Sequence, residues 1–266
     1  MLLTRILTAL ALIPFVVAAV LWLPALALFG LILLVVMLSA WEWSQFFSPQ
    51  RGVRLGFALL VPLTALVWQP PMLWLSVLGL GFWLLMLIWL IVYPAGLRPG
   101  VGQPLLRGVV GLLLFWLFAQ SAYALAQMPQ GRWLLLVTLV LVWAVDVGGY
   151  FFGKRFGRHK LSPQVSPNKS WEGFAGGVLL ALLVGLLSAF VLTPPLQGPV
   201  FLACALLVAM GSVVGDLCES MFKRQSGIKD SGSLLPGHGG LLDRLDSTFA
   251  ALPLMLAVGL WLAPLG

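Results

Sequence analysis

The stretch SMFKRQSGIKDSGSLLPGHGGLLDRLDS, from Ser220 to Ser247, holds the densest group of charges in the chain. It lies in a sequence that is 61% hydrophobic and only 9% charged. Burying an unpaired charge in hydrocarbon is costly, so ionisable groups in such a chain are candidates for function by default. We therefore take this stretch as the centre of the candidate site and the rest of the chain as its scaffold.

The composition is typical of an all-α, polytopic integral membrane protein. The 266 residues have a mean hydropathy of +1.06 and include 12 Trp and 29 Gly, and both residue types are common in membrane helices. The first apolar run continues without a small-residue cleavage site, so we expect the first span to be retained. Cys204 and Cys218 lack the spacing of a zinc or disulfide framework and are predicted to be buried thiols.

Nine apolar runs approach the length of about 20 residues that a membrane helix needs. They are 6–22, 25–40, 55–68, 72–93, 106–127, 133–152, 174–193, 199–217 and 248–262. We predict a single transmembrane domain, 1–266, with amino-terminal helices in 1–128 and catalytic helices and loops in 133–266. Whether residues 6–40 form two full spans or one broken pair stays open at this stage.

The positive charges predict the orientation. If the loops after spans two, four, six and eight are cytoplasmic, that face receives every Lys and Arg except Arg5 and Arg132. Cytoplasmic loops carry such an excess in membrane proteins. We therefore expect a site on the cytoplasmic side of a bacterial inner membrane. As a separate expectation, we place the amino terminus outside. The net charge of +7 then follows from topology, and no nucleic-acid partner is expected.

Some charged residues are interpreted as topological only. Glu42 lies between two tryptophans and is expected at the membrane interface. The basic residues to which we assign no chemistry are Arg51, Arg54, Arg98 and Arg107.

The acids of the charged stretch predict a metal site. Asp216, Glu219 or Ser220, and Lys223 have the spacing of one helix face. Asp243 and Asp246 repeat this spacing before the last span. Converging carboxylates would supply oxygen ligands to a hard cation, and Mg²⁺ is our first choice. The alternative is a structural ion pair of these acids with Lys223 or Arg244.

Basic residues and glycines between these acids predict phosphate binding. The basic residues are Lys223, Arg224, Lys229, His238 and Arg244, and the glycines are Gly232, Gly237, Gly239 and Gly240. Basic side chains bind phosphate by charge-assisted hydrogen bonds, and glycine lets backbone amides approach it closely. Acids, bases and glycines together indicate metal-assisted phosphoryl chemistry. His238 is equally compatible with a purely structural cap of the loop.

A second constellation, VDVGGYFFGKRFGRHKLSPQVSPNKSWEGF, spans residues 145–174 and joins Asp146 to Glu172. It reads as a basic loop that opens a helix near Lys169 to Gly173, and helix amino termini attract anions. The candidates for phosphate or nucleotide contact are Ser166, Asn168, Lys169 and Ser170. Asp146 and Glu172 are predicted to support them, although Asp146 is also compatible with a role in helix packing.

These residues carry a resemblance to a known family. The matching positions are Ser220, Phe222, Lys223-Arg224, Lys229-Asp230, Gly232, Leu235-Pro236, His238-Gly239-Gly240, Asp243-Arg244 and Asp246. Together they resemble the signature of the phosphatidate cytidylyltransferases, the CDP-diacylglycerol synthases of bacteria. The pattern from Asp146 through SPNKSWEG is also similar to that family.

The resemblance implies that CTP and phosphatidic acid react to CDP-diacylglycerol and pyrophosphate at a membrane, in phospholipid biosynthesis. It also implies a divalent cation, Mg²⁺ or alternatively Mn²⁺, a K⁺ ion beside it, and a homodimer. The implied metal ligands are Asp216 and Asp243, with Asp246 and Glu219 beside them. We expect Lys223, Arg224, Lys229 and Arg244 to hold the phosphates of the two substrates. Ser220, His238, Gly239 and Gly240 are the further candidates for substrate contact.

Two other functions fit parts of the sequence. An ion-coupled or phosphate-lipid transporter also uses intramembrane acids near broken helices, but here the acids lie towards one face and no inverted repeat is visible. A phosphotransferase that uses a CDP-lipid would need a different acid-rich spacing within a span, and the sequence lacks it.

Overall fold

The structure is a computed structural model, and it describes residues 2–93, 103–191, 198–232, 234 and 239–262. In this part of the chain α-helices dominate. They are α1 (Leu2–Trp22), α2 (Ala25–Trp43), α3 (Arg51–Val67), α4 (Met72–Val92), α5 (Gln103–Gln127), α6 (Gly131–Phe156), α7 (Trp171–Val191), α8 (Gly198–Gln225) and α9 (Leu242–Leu262). Each helix lies on one predicted apolar run, and the polytopic α-helical membrane fold is confirmed.

Six of the described helical segments are long and apolar enough to cross a membrane. They are Ala25–Phe46, Met72–Val92, Gln103–Gln127, Gly131–Phe156, Trp171–Phe190 and Phe201–Gln225. α3 has only 17 residues and begins with two arginines, whereas α9 carries three charged side chains in its first five residues. α1 contributes the shorter apolar segment Leu12–Trp22. The count of nine spans therefore stays a prediction.

Helices α6 and α7 form the most extensive helix pair, and glycines bring their backbones together. A side-chain carbon at Gly148 would lie 2.6 Å from the carbonyl oxygen of Gly176. One at Gly177 would lie 2.7 Å from the carbonyl oxygen of Val145. Small residues allow such close approach between membrane helices, where van der Waals packing is a main source of association. The glycines thus fix how α7 lies against α6.

A short β-hairpin joins these two helices and corrects the expectation of an irregular loop. Strand β1 (Lys160–Ser162) pairs antiparallel with β2 (Ser166–Ser170). The backbone N–H of Trp171 donates to the carbonyl oxygen of His159 at 2.9 Å and closes the hairpin against the start of α7. The strands are short and polar, so the alternation of apolar residues that reveals a strand in sequence is absent.

An aromatic cluster forms the core where α2, α5, α8 and α9 meet. The Trp43 ring lies 4.9 Å from that of Phe222 and 5.9 Å from that of Phe115, and Phe115 lies 5.2 Å from Phe249. All four side chains are at most 2% exposed. Aromatic pairs in tilted or edge-to-face contact contribute more than their buried area alone. This cluster packs beside the parts of α8 and α9 that carry the charged residues.

The arginines to which we assigned no chemistry also carry structural contacts. The guanidinium of Arg107 donates to the Phe46 carbonyl oxygen at 2.6 Å and to the Gln225 carbonyl oxygen at 3.3 Å, which joins α5 to the ends of α2 and α8. Arg54 donates to the Trp41 carbonyl oxygen at 3.1 Å and lies over its ring. Arg98 lies outside the described residues. Both cysteines are buried free thiols, as predicted.

We predict that Gly148→Ala destabilises the protein. The added methyl group must push α6 away from the α7 backbone, and overpacking of this kind costs about 1–3 kcal/mol. The readout is the thermal unfolding midpoint of the protein in detergent. Gly81→Ala in α4 is the matched control, since nothing lies within 4 Å of the added carbon there. Equal midpoints for the two variants would contradict the packing role of Gly148.

Candidate active site

A polar cavity of about 390 Å³ lies between α6, α7, α8 and the hairpin. The predicted residues that line it are Asp146, Ser166, Asn168, Lys169, Ser170 and Asp216. They come from three elements that are far apart in sequence, α6, β2 and α8. The structure thus brings Asp216, just before the charged stretch, and the predicted phosphate-binding residues to one place.

An ion pair between the hairpin and α8 crosses this cavity. The Lys169 ammonium on β2 donates to Oδ2 of Asp216 on α8. The Ser220 hydroxyl, one turn further along α8, donates to Oδ1 of Asp216 at 3.4 Å. Both Lys169 and Asp216 are about one quarter exposed. The pair therefore holds a cation and an anion at the cavity wall, within reach of solutes.

Acids from α6 and α9 extend this site. Asp146 interacts electrostatically with Asp216, Lys169 and Arg244, and Asp246 interacts with Asp216 and Lys169. Helices α8 and α9 approach closely here, since a side-chain carbon at Gly215 would lie 2.5 Å from the Asp246 carbonyl oxygen.

A second ionic group lies deeper, around Lys223. Its ammonium contacts Oδ1 of Asp243 at 2.6 Å and Oε1 of Glu219 at 3.1 Å. Glu219 is 4% exposed and also interacts electrostatically with Asp246. Lys223 therefore neutralises two of the predicted metal ligands in this arrangement, which is the ion-pair alternative that the sequence left open. The predicted contact of Lys223 with phosphate stays a prediction.

Asp243 also organises the described residues ahead of α9, Ser231, Gly232, Gly239 and Gly240, which we call the glycine loop. Its Oδ2 accepts the backbone N–H groups of Ser231 and Gly240, both at 3.0 Å. Gly239 has φ +84°, a conformation that glycine adopts without steric cost. Burial raises the pKa of Asp243, but the hydrogen bonds from Lys223 and Ser231 outweigh it and leave the pKa below its ordinary value. The carboxylate is thus kept charged ahead of the apolar part of α9.

The remaining predicted bases occupy different positions. Arg224 is exposed, and its Nε donates to the Val165 carbonyl oxygen at 3.3 Å, which ties α8 to the hairpin. Lys229 and Arg244 are exposed, and Arg244 interacts with Asp146. His238 lies outside the described residues, so both interpretations of it remain untested.

Glu172 supports the loop ahead of the hairpin. Its Oε2 accepts the backbone N–H of Arg158 at 3.1 Å, and its Oε1 lies 2.6 Å from Nδ1 of His159. Our sequence analysis assigned no role to His159, and a single exposed histidine among basic residues gives no signal for one. Glu172 therefore acts on the loop backbone, whereas Asp146 faces the cavity.

Glu42 is a buried carboxylate whose contacts could not be predicted from the sequence. We expected it at the membrane interface, but it is 3% exposed and lies against the glycine loop. Its Oε2 accepts the backbone N–H of Leu242 at 2.8 Å and so caps α9. A side-chain carbon at Gly240 would lie 2.7 Å from the same oxygen. The signal was present, because an acid inside an apolar run is a functional candidate.

The carboxylate oxygens of the site suit a hard cation, although the described residues do not form a complete metal-binding site by themselves. Among the described residues, no group of three or more His, Cys, Asp or Glu side chains is arranged to hold a metal ion. Mg²⁺ sites in enzymes of phosphate chemistry often use one or two carboxylates together with substrate phosphates and waters. Asp216 lines the cavity and already attracts one cation, Lys169. The site therefore suits a cation that arrives with a phosphate-bearing substrate.

Comparison with known proteins gives the class. Residues 3–261 match the sequence profile of the cytidylyltransferase family, and the chain belongs to that family. A phosphatidate cytidylyltransferase of Pseudomonas aeruginosa is 43% identical over 100% of this chain and 99% of the relative. One from Haemophilus influenzae is 36% identical over 95% of this chain and 96% of the relative. The similarity thus covers both the amino-terminal helices and the site.

We predict that Glu42→Ala lowers the rate of cytidylyl transfer about tenfold, whereas Glu42→Gln retains most of it. Alanine leaves the Leu242 N–H without its acceptor, which costs about 1–3 kcal/mol, and it frees the loop that Asp243 closes. Glutamine keeps an acceptor oxygen at the same place. The measurement is kcat alongside the KM for CTP, with the unfolding midpoint as a check. Equal losses in both variants would show that the negative charge, and not the cap, matters.

Proposed function

We propose that this chain is a phosphatidate cytidylyltransferase. It transfers the cytidylyl group of CTP to phosphatidic acid, giving CDP-diacylglycerol and pyrophosphate in phospholipid biosynthesis. The observation that carries the proposal is the polar cavity in which Lys169 and the serines of the hairpin face Asp146 and Asp216. A membrane-embedded cavity with both signs of charge suits two phosphate-bearing substrates, one from water and one from lipid.

The reaction proceeds by in-line displacement. An oxygen of the lipid phosphate forms a bond to the α-phosphorus of CTP, and the bond from that phosphorus to the bridging oxygen breaks. Pyrophosphate leaves with the electron pair. Such chemistry depends mainly on positioning and on neutralisation of charge, so no covalent enzyme intermediate is needed.

The hairpin and the start of α7 are proposed to hold CTP. The residues concerned are Ser166, Asn168, Lys169 and Ser170. The Ser170 hydroxyl accepts the Gly173 backbone N–H at 3.1 Å and so shapes the first turn of α7. Helix amino termini favour anions, and Lys169 adds a positive charge beside them. Ser220, Gly239 and Gly240 are further proposed contacts of the substrate, with His238 as another candidate.

The bases of the charged stretch are proposed to hold the lipid phosphate and the leaving pyrophosphate. Arg244 and Lys229 are exposed and therefore accessible to substrate, and Arg224 extends towards the hairpin. Lys223 pairs with Glu219 and Asp243 in this arrangement, and it is proposed to contact a substrate phosphate as well.

We further propose that Mg²⁺, or alternatively Mn²⁺, is bound with the substrate. Asp216 and Asp243 are the proposed ligands, with Asp246 and Glu219 beside them. In support, both Asp216 and Asp243 attract a lysine ammonium in this arrangement, and their neighbours are also acidic. When bound, the cation neutralises charge on the phosphates. A K⁺ ion beside it remains part of the proposal by family resemblance.

The proposed setting is a bacterial inner membrane, with the site facing the cytoplasm. Loops that follow even-numbered spans lie on the same side as the amino terminus, so we propose a cytoplasmic amino terminus, which corrects the external one expected from the sequence. In support, Arg132 at the start of α6 donates to the Leu21 carbonyl oxygen at the end of α1 at 2.7 Å, and both of these ends lie away from the site. The distribution of Lys and Arg supports this orientation, and the relatives come from bacteria. A homodimer is proposed on the family resemblance.

The test of the function is pyrophosphate release by the purified protein given CTP, Mg²⁺ and phosphatidate. We expect release at the same rate as the formation of CDP-diacylglycerol, and none when lipid or Mg²⁺ is omitted. EDTA should abolish the reaction, and excess Mg²⁺ should restore it. Lipid-independent hydrolysis of CTP, or the absence of any reaction, would count against the proposal and favour a transporter.

We predict that Asp216→Asn lowers kcat about 100-fold or more, a loss typical of removing one preorganised electrostatic contact. The variant should also need more Mg²⁺ for half-maximal rate. Arg51→Gln is the control, since Arg51 is exposed at the start of α3 and we assign it topology only. If Asp216→Asn and the wild-type protein require the same Mg²⁺ concentration for half-maximal rate, the metal role of Asp216 is refuted.

A further inference from the structure

A second cavity of about 140 Å³ lies among α1, α2, α5, α6 and α9, and its accessible surface is apolar. Side chains that line it include Val16, Leu28, Ala122, Leu139 and Leu252. The proposed chemistry makes no use of this cavity. We call it the apolar groove.

The groove lies on the same face of α6 as the polar cavity. Leu139 lines the groove, and Asp146, seven residues later, lines the polar cavity. Seven residues are two helical turns, so the two side chains project in nearly the same direction about 10 Å apart along the axis. One face of α6 thus passes from apolar groove to polar site.

Helix α9 repeats this arrangement. Leu245, Thr248 and Leu252 line the groove, whereas the neighbouring Ser247 lines the polar cavity. Arg244 lies one turn before Thr248 on the same helix face, and it interacts electrostatically with Asp146. Arg244 is thus an exposed base close to residues of both cavities, although it lines neither.

We propose that the apolar groove holds a segment of an acyl chain of the phosphatidate substrate that lies beyond the reach of a hexanoyl chain, with the lipid phosphate beside Arg244. The inference rests on the proposed function. In phosphatidate, an apolar acyl chain begins close to a phosphate. In the protein, the apolar groove likewise follows the polar cavity along α6 and α9. The groove would thereby place the lipid phosphate next to the hairpin that holds CTP.

The size of the groove favours an acyl chain over a protein partner. Five helices of this chain surround it, and a helix with its side chains is about 10–12 Å across. A volume of about 140 Å³ is too small for such a helix but admits a segment of a hydrocarbon chain.

The test compares phosphatidates with long and short acyl chains, dioleoyl and dihexanoyl, in the same detergent. The substitution Leu139→Trp fills the groove. We therefore expect kcat/KM for the long-chain substrate, divided by kcat/KM for the short-chain one, to fall about tenfold. This is the lower end of the effect that a changed hydrophobic pocket has on substrate preference. The KM for CTP should stay unchanged. Val140→Trp is the matched control, because Val140 is the adjacent residue, is 42% exposed and does not line the groove.

Leu139→Ala provides a second variant in case the tryptophan prevents folding. It removes contact with the chain, and we expect the long-over-short ratio to fall in this variant too. A ratio unchanged in the folded Leu139 variants, or lowered equally by Val140→Trp, would overturn the acyl-chain assignment while leaving the function intact. If the wild-type protein makes no CDP-diacylglycerol from either lipid, the proposed function itself is overturned.

Discussion

The charged side of this bundle depends on contacts between lysines and carboxylates. Lys169 pairs with Asp216, and Lys223 pairs with both Glu219 and Asp243. A carboxylate that is removed from water without a partner is strongly unfavourable, and breaking a buried pair by removing one partner is costly for the same reason. These pairs allow acids from α8 and α9 to lie together within an apolar protein. The same arrangement keeps charge available for phosphate-bearing substrates.

The helix packing explains how the charges reach one place. Glycines bring α6 against α7 and α8 against α9 at backbone distance, and Asp146 and Asp246 each come within electrostatic range of Asp216. The hairpin between α6 and α7 then brings Lys169 to the cavity. The apolar faces of α6 and α9 continue below the polar cavity. A single pair of helices thus presents a polar region next to an apolar one, as a lipid substrate requires.

The sequence predicted the helices well because the length of an apolar run is a direct consequence of hydrocarbon thickness. It predicted Lys169, Asn168 and Asp146 as members of one constellation, and they line one cavity. It did not predict the hairpin, whose short polar strands satisfy their backbone groups by pairing with each other. It also misjudged Glu42, because the residue that needs its carboxylate, Leu242, is 200 positions away in the chain.

The sequence by itself determined the class of fold, the membrane setting and the residue types of the site, since hydrophobicity and charge are properties of each residue wherever it lies. Only the tertiary structure decided which acid meets which base. The spacing left Asp216 and Asp243 equivalent as candidate ligands, yet Asp216 faces the cavity with Lys169 while Asp243 closes the glycine loop with Lys223. That difference arises from the angle and distance at which α8, α9 and the hairpin pack. Packing between segments that are distant in the chain cannot be inferred from local sequence.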